Sequence, residues 1–151
     1  MAGVVAVVLL LDQSTKWLIR SRFLPGETRS VIGDFFYLTY NQNSGMAFGL
    51  MQGYSGLISV FSVLAIAFLI YLARRWGKEN SVSRGILFSL SLVIGGAAGN
   101  LVDRMAWTGV IDFLDFGLGL YRWPAFNVAD ICISVGVGLL VLFSARSQDP
   151  A

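Results

Sequence analysis

The chain has 151 residues, 56% hydrophobic and 13% charged, with no histidine and a net charge of +2. Its mean hydropathy of +0.70 does not describe an ordinary soluble core and points to the bilayer as solvent. The small, scattered positive charge excludes a nucleic-acid footprint, and the lack of imidazole excludes histidine-based serine or cysteine catalysis and removes the commonest zinc ligand.

Four apolar stretches, near residues 1–20, 57–75, 84–104 and 126–145, each approach the ~20 residues that carry a helix across a hydrocarbon core. The whole chain, 1–151, therefore reads as one membrane-embedded domain. In the first stretch Met1 to Leu11 is apolar, but Asp12 and Lys16 follow; four apart, they share a helix face and read as a structural ion pair. No basic segment precedes this stretch and no small-residue cleavage site follows it, so it reads as a retained span rather than a cleaved signal peptide. The chain begins almost inside the span, which leaves room for an upstream cytoplasmic extension.

The next connection contains Val31 to Tyr40, rich in strand formers, followed by the turn signal Asn41-Gln42-Asn43-Ser44-Gly45. It predicts a small extracytoplasmic β-hairpin or sheet between the first two helices, lying on the membrane with its aromatics at headgroup level. The second span has no charge from Leu57 to Leu72. The third contains Gly95-Gly96-Ala97-Ala98-Gly99, small residues that permit close helix approach, and ends in Asn100, Asp103 and Arg104. Those three read either as a structural network or as part of a site. Between the third and fourth spans, Trp107, Tyr121 and Trp123 suit the membrane interface. Asp112 and Asp115 lie there on a predicted loop, where spacing does not choose between them. Asp130 opens the fourth span behind Asn127, a position equally suited to capping a helix N-terminus and to chemistry. The single cysteine, Cys132, reads as a packing residue and leaves the redox compartment unread.

Arg74, Arg75, Lys78 and Arg84 crowd the connection between the second and third spans, which marks that end, with both termini, as cytoplasmic. Asp12, Glu27, Asp34, Asp103, Asp112, Asp115 and Asp130 then fall at or near the outer face, and only Glu79 and Asp149 fall on the other side. Ionisable groups in apolar spans mark candidate sites. Two close carboxylates can hydrolyse a peptide bond without metal or cofactor: one, ionised, takes a proton from water, and the other, protonated, donates to the carbonyl oxygen.

Several ordered motifs carry a resemblance. Asp12-Gln13-Ser14-Thr15-Lys16, Asn43-Ser44-Gly45-Met46-Ala47-Phe48, Gly99-Asn100-Leu101-Val102-Asp103-Arg104, Val110-Ile111-Asp112-Phe113 and Phe126-Asn127-Val128-Ala129-Asp130 together resemble the lipoprotein signal peptidase family, also called signal peptidase II. The resemblance implies a bacterial inner-membrane aspartyl endopeptidase that cuts diacylglyceryl prolipoproteins N-terminal to the lipidated cysteine. It places the catalytic dyad on Asp112 and Asp130. Asp12, Lys16, Asn43, Gly45, Asn100, Asp103, Arg104 and Asn127 become supporting or substrate-binding residues. It further implies membrane lipids as partners and inhibition by globomycin-type cyclic peptides. Met46 departs from the family, which has a small residue there, and bears on substrate fit. The competing reading is a small proton-coupled transporter, which calls for acids near mid-membrane around a shared pore; a structural assembly subunit would not explain the concentration of acids.

Overall fold

A computed structural model describes residues 1–46, 50–78, 82–107 and 109–146. Ala47 and Phe48 of the second motif, and the acids Glu79 and Asp149, lie outside the described residues. Four helices are long and apolar enough to cross a membrane: α1 (Ala2–Arg22), α2 (Ser55–Lys78), α3 (Arg84–Trp107) and α4 (Val128–Arg146). All four expected spans appear, with ends moved by a few residues.

The central helix is α3. Half of its apolar window is buried, against 11% for the windows of α2 and α4, so the flanking helices present their apolar faces to lipid. Small residues explain why α3 takes the centre. A Cβ on Gly95 would meet the Val8 side chain, one on Gly96 the Ala129 carbonyl oxygen, and one on Gly99 the Asp12 carboxylate. Backbones that close gain dispersion contact, which replaces the hydrophobic drive absent between helices in lipid. Gly96→Leu is therefore expected to destabilise the fold by about 1–3 kcal/mol, the cost of overpacking a closed interface. A lowered thermal midpoint in detergent would read it, and an unchanged midpoint would mean that α3 and α4 do not meet at Gly96.

Strands β1 (Thr28–Ile32), β2 (Phe36–Asn43), β3 (Val110–Leu118) and β4 (Tyr121–Arg122) form one antiparallel sheet in the order β1-β2-β3-β4. The hairpin expected between α1 and α2 is β1–β2. The segment from Asp112 to Phe116, expected as a loop, is instead the body of β3. Its residues Val110, Ile111 and Phe113 are strand formers only 1%, 1% and 5% exposed, so the segment is held by packing, not left to solvent. Ile19 near the end of α1 packs there with Ile111 and Phe113, joined by Phe23, Leu38 and Tyr40. Sheet and helix bundle thus share one core at the end of the molecule where α1 and α3 finish and α2 and α4 begin.

The register between β2 and β3 slips by one between Leu38↔Leu114 and Asn41↔Asp112. That bulge puts an extra residue into β2 beside the acids, a common device for re-aiming side chains near sites. Beyond it Asn43 pairs with Val110, so Asn43 lies diagonal to Asp112 on the same face, within side-chain reach.

Candidate active site

Helix α4 starts with a reciprocal cap. The Asn127 side-chain oxygen accepts the Asp130 backbone N–H at 3.0 Å, and an Asp130 carboxylate oxygen accepts the Asn127 N–H at 3.2 Å. Asn127 and Asp130 thus stand at N-cap and N3 and satisfy two otherwise orphan donors. Ala129 N–H, the next donor, is taken by Asp12 from α1 at 3.0 Å. The capping role considered for Asp130 is real. It uses Oδ2, while Oδ1 accepts the Asn100 amide at 2.8 Å.

Asp112 is 3% exposed and is held from two sides. Asn127 Nδ2 donates to Oδ1 at 2.8 Å and Asn43 Nδ2 to Oδ2 at 3.0 Å. Burial pushes the Asp112 carboxyl up to about 7, and the Asp130 charge adds to the rise, while the Asn43 and Asn127 hydrogen bonds and the Lys16 charge oppose it. Asn127 touches both acids, so a single side chain and its own N–H fix their relative placement.

Beneath this pair lies an ionic cluster. Lys16 is fully buried, and its ammonium meets Asp12 at 2.9 Å, Asn100 Oδ1 at 2.8 Å and Asp103 at 3.0 Å. Three acceptors match its three donors. Asp103 also accepts from Arg20 at 3.1 Å, Gln13 at 3.3 Å and the Ile111 N–H at 3.1 Å. Two carboxylates against Lys16 and Arg20 leave the cluster neutral, the condition under which buried charge is tolerated. The expected Asp12–Lys16 pair is present. Asp103 and Arg104, adjacent in sequence, take different partners: Asp103 turns toward α1, and Arg104 donates to the Gly45 carbonyl at 2.7 Å. Successive helix residues point about 100° apart, which is why neighbours in sequence need not be partners in space.

The orientation of Asn100 follows from Lys16. With its oxygen facing the ammonium, its NH2 is turned toward Asp130. Asn43 similarly uses its oxygen to accept Gly45 N–H at 2.9 Å and its NH2 to reach Asp112. The expected site residues are therefore brought to one place: Asp12, Lys16, Asn43, Gly45, Asn100, Asp103, Arg104, Asp112, Asn127 and Asp130. Asp115, which spacing did not separate from Asp112, lies on the opposite side of β3, paired with Arg122 at 2.8 Å. Met46 is exposed beside Gly45, its N–H bonded to the Leu50 carbonyl at 2.7 Å.

Two contributors escaped the sequence reading. Gln13 donates to Asp12, Asp103 and the Gly99 carbonyl, and Arg20 pairs with Asp103 while its guanidinium lies 4.7 Å from the centre of the Trp107 ring. Helical spacing held the signal: residues 12, 13, 16 and 20 recur at the interval of one face. Among the described residues no group of three or more metal-ligating side chains is placed to hold a metal ion.

A family model described as signal peptidase (SPase) II matches residues 4–146. The chain is similar to a lipoprotein signal peptidase of Syntrophus aciditrophicus (strain SB), 45% identical over 148 residues and covering 94% of this chain and 89% of that one. It is likewise similar to a lipoprotein signal peptidase of Bacillus pumilus (strain SAFR-032), 39% identical over 136 residues and covering 90% and 86%. Among solved structures, a bacterial membrane enzyme determined by the in meso method aligns with a TM-score of 0.86 at 25% identity, covering 99% of this chain and 93% of that one.

Proposed function

The chain belongs to the signal peptidase II family, and from that premise we propose that Asp112 and Asp130 are the catalytic dyad of a membrane aspartyl endopeptidase. It removes the signal peptide from diacylglyceryl-modified prolipoproteins, cutting N-terminal to the lipidated cysteine. The observation that carries the dyad is the pair of carboxylates joined by Asn127 and held by Asn43 and Asn100. The transporter alternative finds no support, since the acids gather at one end of the bundle and the relatives are peptidases.

In this reading the ionised carboxylate takes a proton from a water molecule as its oxygen attacks the scissile carbonyl carbon. The protonated carboxyl donates to the carbonyl oxygen, giving a neutral gem-diol. Collapse breaks the C–N bond while the leaving nitrogen receives a proton, so the products are a signal peptide ending in a carboxylic acid and a lipoprotein beginning with a free amine. Asn43, Asn127 and Asn100 orient the dyad, and Arg104 holds the Gly45 carbonyl and with it the strand end beside Asp112. Asp12, Lys16 and Asp103 tie α1, α3, α4 and β3 together. The protein sits in the bacterial inner membrane with the site at the extracytoplasmic face and both termini cytoplasmic, supported by the arginines at 74, 75 and 84. A lipid-bearing substrate then reaches the dyad by diffusing within the bilayer.

The test is cleavage of a diacylglyceryl prolipoprotein by the purified chain, with the product mass locating the cut. Failure of well-folded protein to cleave would sink the reading. A globomycin-type cyclic peptide is expected to block the reaction, and unchanged cleavage at saturating inhibitor would count against that part.

The pH profile should follow the proton on Asp112. A carboxyl raised to about 7 by burial holds its proton below that pH and loses it above. On the basic side kcat/KM should therefore fall by about tenfold per pH unit once pH passes the raised value, as an essential acid is depleted. A rate that stays flat to pH 9 would mean that Asp112 is not the proton donor.

A further inference from the structure

Arg20 stands on the last turn of α1 and reaches two residues of α3 at once. Its Nη2 donates to Asp103 Oδ1 at 3.1 Å, and its guanidinium lies 4.7 Å from the centre of the Trp107 ring. Asp103 and Trp107 are four apart and share a helix face, so one side chain spans both. Arg20 Nε is buried without a hydrogen-bond partner among the described residues. The guanidinium is therefore held by its bond to the carboxylate and by the face of the indole, which attracts a desolvated cation.

Asp103 passes that constraint to the strand that carries Asp112. A carboxylate turns freely about its last torsion, so what binds Oδ1 decides where Oδ2 points. Oδ1 accepts from Arg20 and, at the longer distance of 3.3 Å, from Gln13. Oδ2 accepts from Lys16 at 3.0 Å and from the Ile111 N–H at 3.1 Å. Ile111 is held at its other end as well, because its carbonyl accepts from Asn127 Nδ2 at 3.3 Å, and that same Nδ2 donates to Asp112 Oδ1 at 2.8 Å. The residue before Asp112 is thus fixed at both its N–H and its C=O. Trp107 also ends α3 just ahead of β3, and its carbonyl accepts from Gln42 Nε2 at 2.7 Å, next to the Asn43 that holds the second Asp112 oxygen.

We propose that Arg20, braced on the Trp107 ring, is a positioning residue for the peptidase reaction: it fixes Asp103, which fixes the Ile111 backbone and with it the Asp112 carboxylate. The consequence for rate rests on the peptidase reading. The placement of β3 does not.

The experiment compares the unaltered full chain in detergent with Arg20→Met, Trp107→Leu, Trp107→Phe and the double variant Arg20→Met/Trp107→Leu, each held well below its thermal midpoint. Hydrogen exchange read by mass spectrometry is expected to quicken about tenfold over Val110 to Phe113 in Arg20→Met, as a local opening, with the hairpin from Thr28 to Tyr40 unchanged. Unchanged exchange at Val110 to Phe113, or an equal rise in the hairpin, overturns the proposal, since the second outcome is general loss of stability. In prolipoprotein cleavage, kcat should fall about tenfold with KM little changed, because small misplacements of a reacting group are costly. Trp107→Leu should lose less, Trp107→Phe almost nothing, and the double variant should be no worse than Arg20→Met, as for two residues on one path. Additive losses overturn the brace.

The pH profile separates placement from charge. The charges that face Asp112, those of Asp130, Lys16 and Arg104, are the same in every variant. Loosening β3 admits water to Asp112 and relaxes the rise that burial causes, so the basic limb of kcat/KM should move to lower pH in Arg20→Met. Loss of a cation by itself would raise the carboxyl further and move the limb to higher pH, and that result overturns the proposal. If the unaltered chain does not cleave, the peptidase reading fails, and the exchange measurement alone decides whether Arg20 places Asp112.

Discussion

Asp112→Asn and Asp130→Asn, made separately, are each expected to lower kcat for prolipoprotein cleavage by about 10³-fold, within the range for losing a positioned acid or base, with KM little changed. Asparagine keeps the volume and most of the hydrogen bonds. At Asp112 its oxygen can still accept from Asn127 or Asn43, and burial already disfavours the charge there. At Asp130 it can accept the Asn127 N–H or the Asn100 amide, at a cost of about 1 kcal/mol for the bond forgone. Both variants should therefore fold, and thermal unfolding in detergent would verify this. Asp115→Asn serves as the control: its carboxylate faces away from the dyad and pairs with Arg122 in a partly exposed site, so full activity is expected. Retained activity in either dyad variant would remove that residue from the chemistry.

The largest expected effect on stability is at Lys16. Lys16→Met keeps the length and removes the ammonium, which leaves Asp12 without a cation and Asp103 with Arg20 alone. Breaking a buried pair by deleting one partner costs about 3–5 kcal/mol because the surviving charge stays buried. For a chain of this size the thermal midpoint should fall on the order of 10 °C. Activity should fall as well, since Asn100 loses the contact that turns its NH2 toward Asp130. Lys16→Met combined with Asp103→Asn should recover part of the midpoint, because one buried negative charge goes with the positive one. A single variant as stable as the unaltered chain, or a double variant no better than the single, would show that the cluster does not bind the helices together in this way.

The spans were legible because the signal is dense: an apolar run near twenty residues long matches the thickness of a bilayer, and the stretch from Leu57 to Leu72 carries no charge to interrupt it. The β1–β2 hairpin was legible for a similar reason, since strand formers stand next to a turn signal. Strand β3 was not. Its pairing with β2 joins residues some seventy positions apart, and no local pattern announces that contact. Read as a strand, the segment would have separated Asp112 from Asp115, because residues three apart on a strand point to opposite faces. Which face is inside still depends on Ile19 and the helix ends that cover it.

The cluster divides in the same way. Asp12 and Lys16 could be paired from sequence, because helix geometry alone brings positions four apart together. Asp103 could not be assigned to Lys16 and Arg20 without knowing how α1 lies against α3. Local order thus determined what the chain must do with its apolar runs, its turns and its caps, since each is governed by a few adjacent residues and the solvent they require. The ordered motifs also identified the residues that matter. Only the tertiary structure decided their partners: Asn127 between the two acids, Asn100 under Asp130, Asn43 beside Asp112 and Lys16 beneath them. Those contacts join three helices and a sheet, and their geometry comes from close packing at glycine-lined interfaces that a single segment cannot encode.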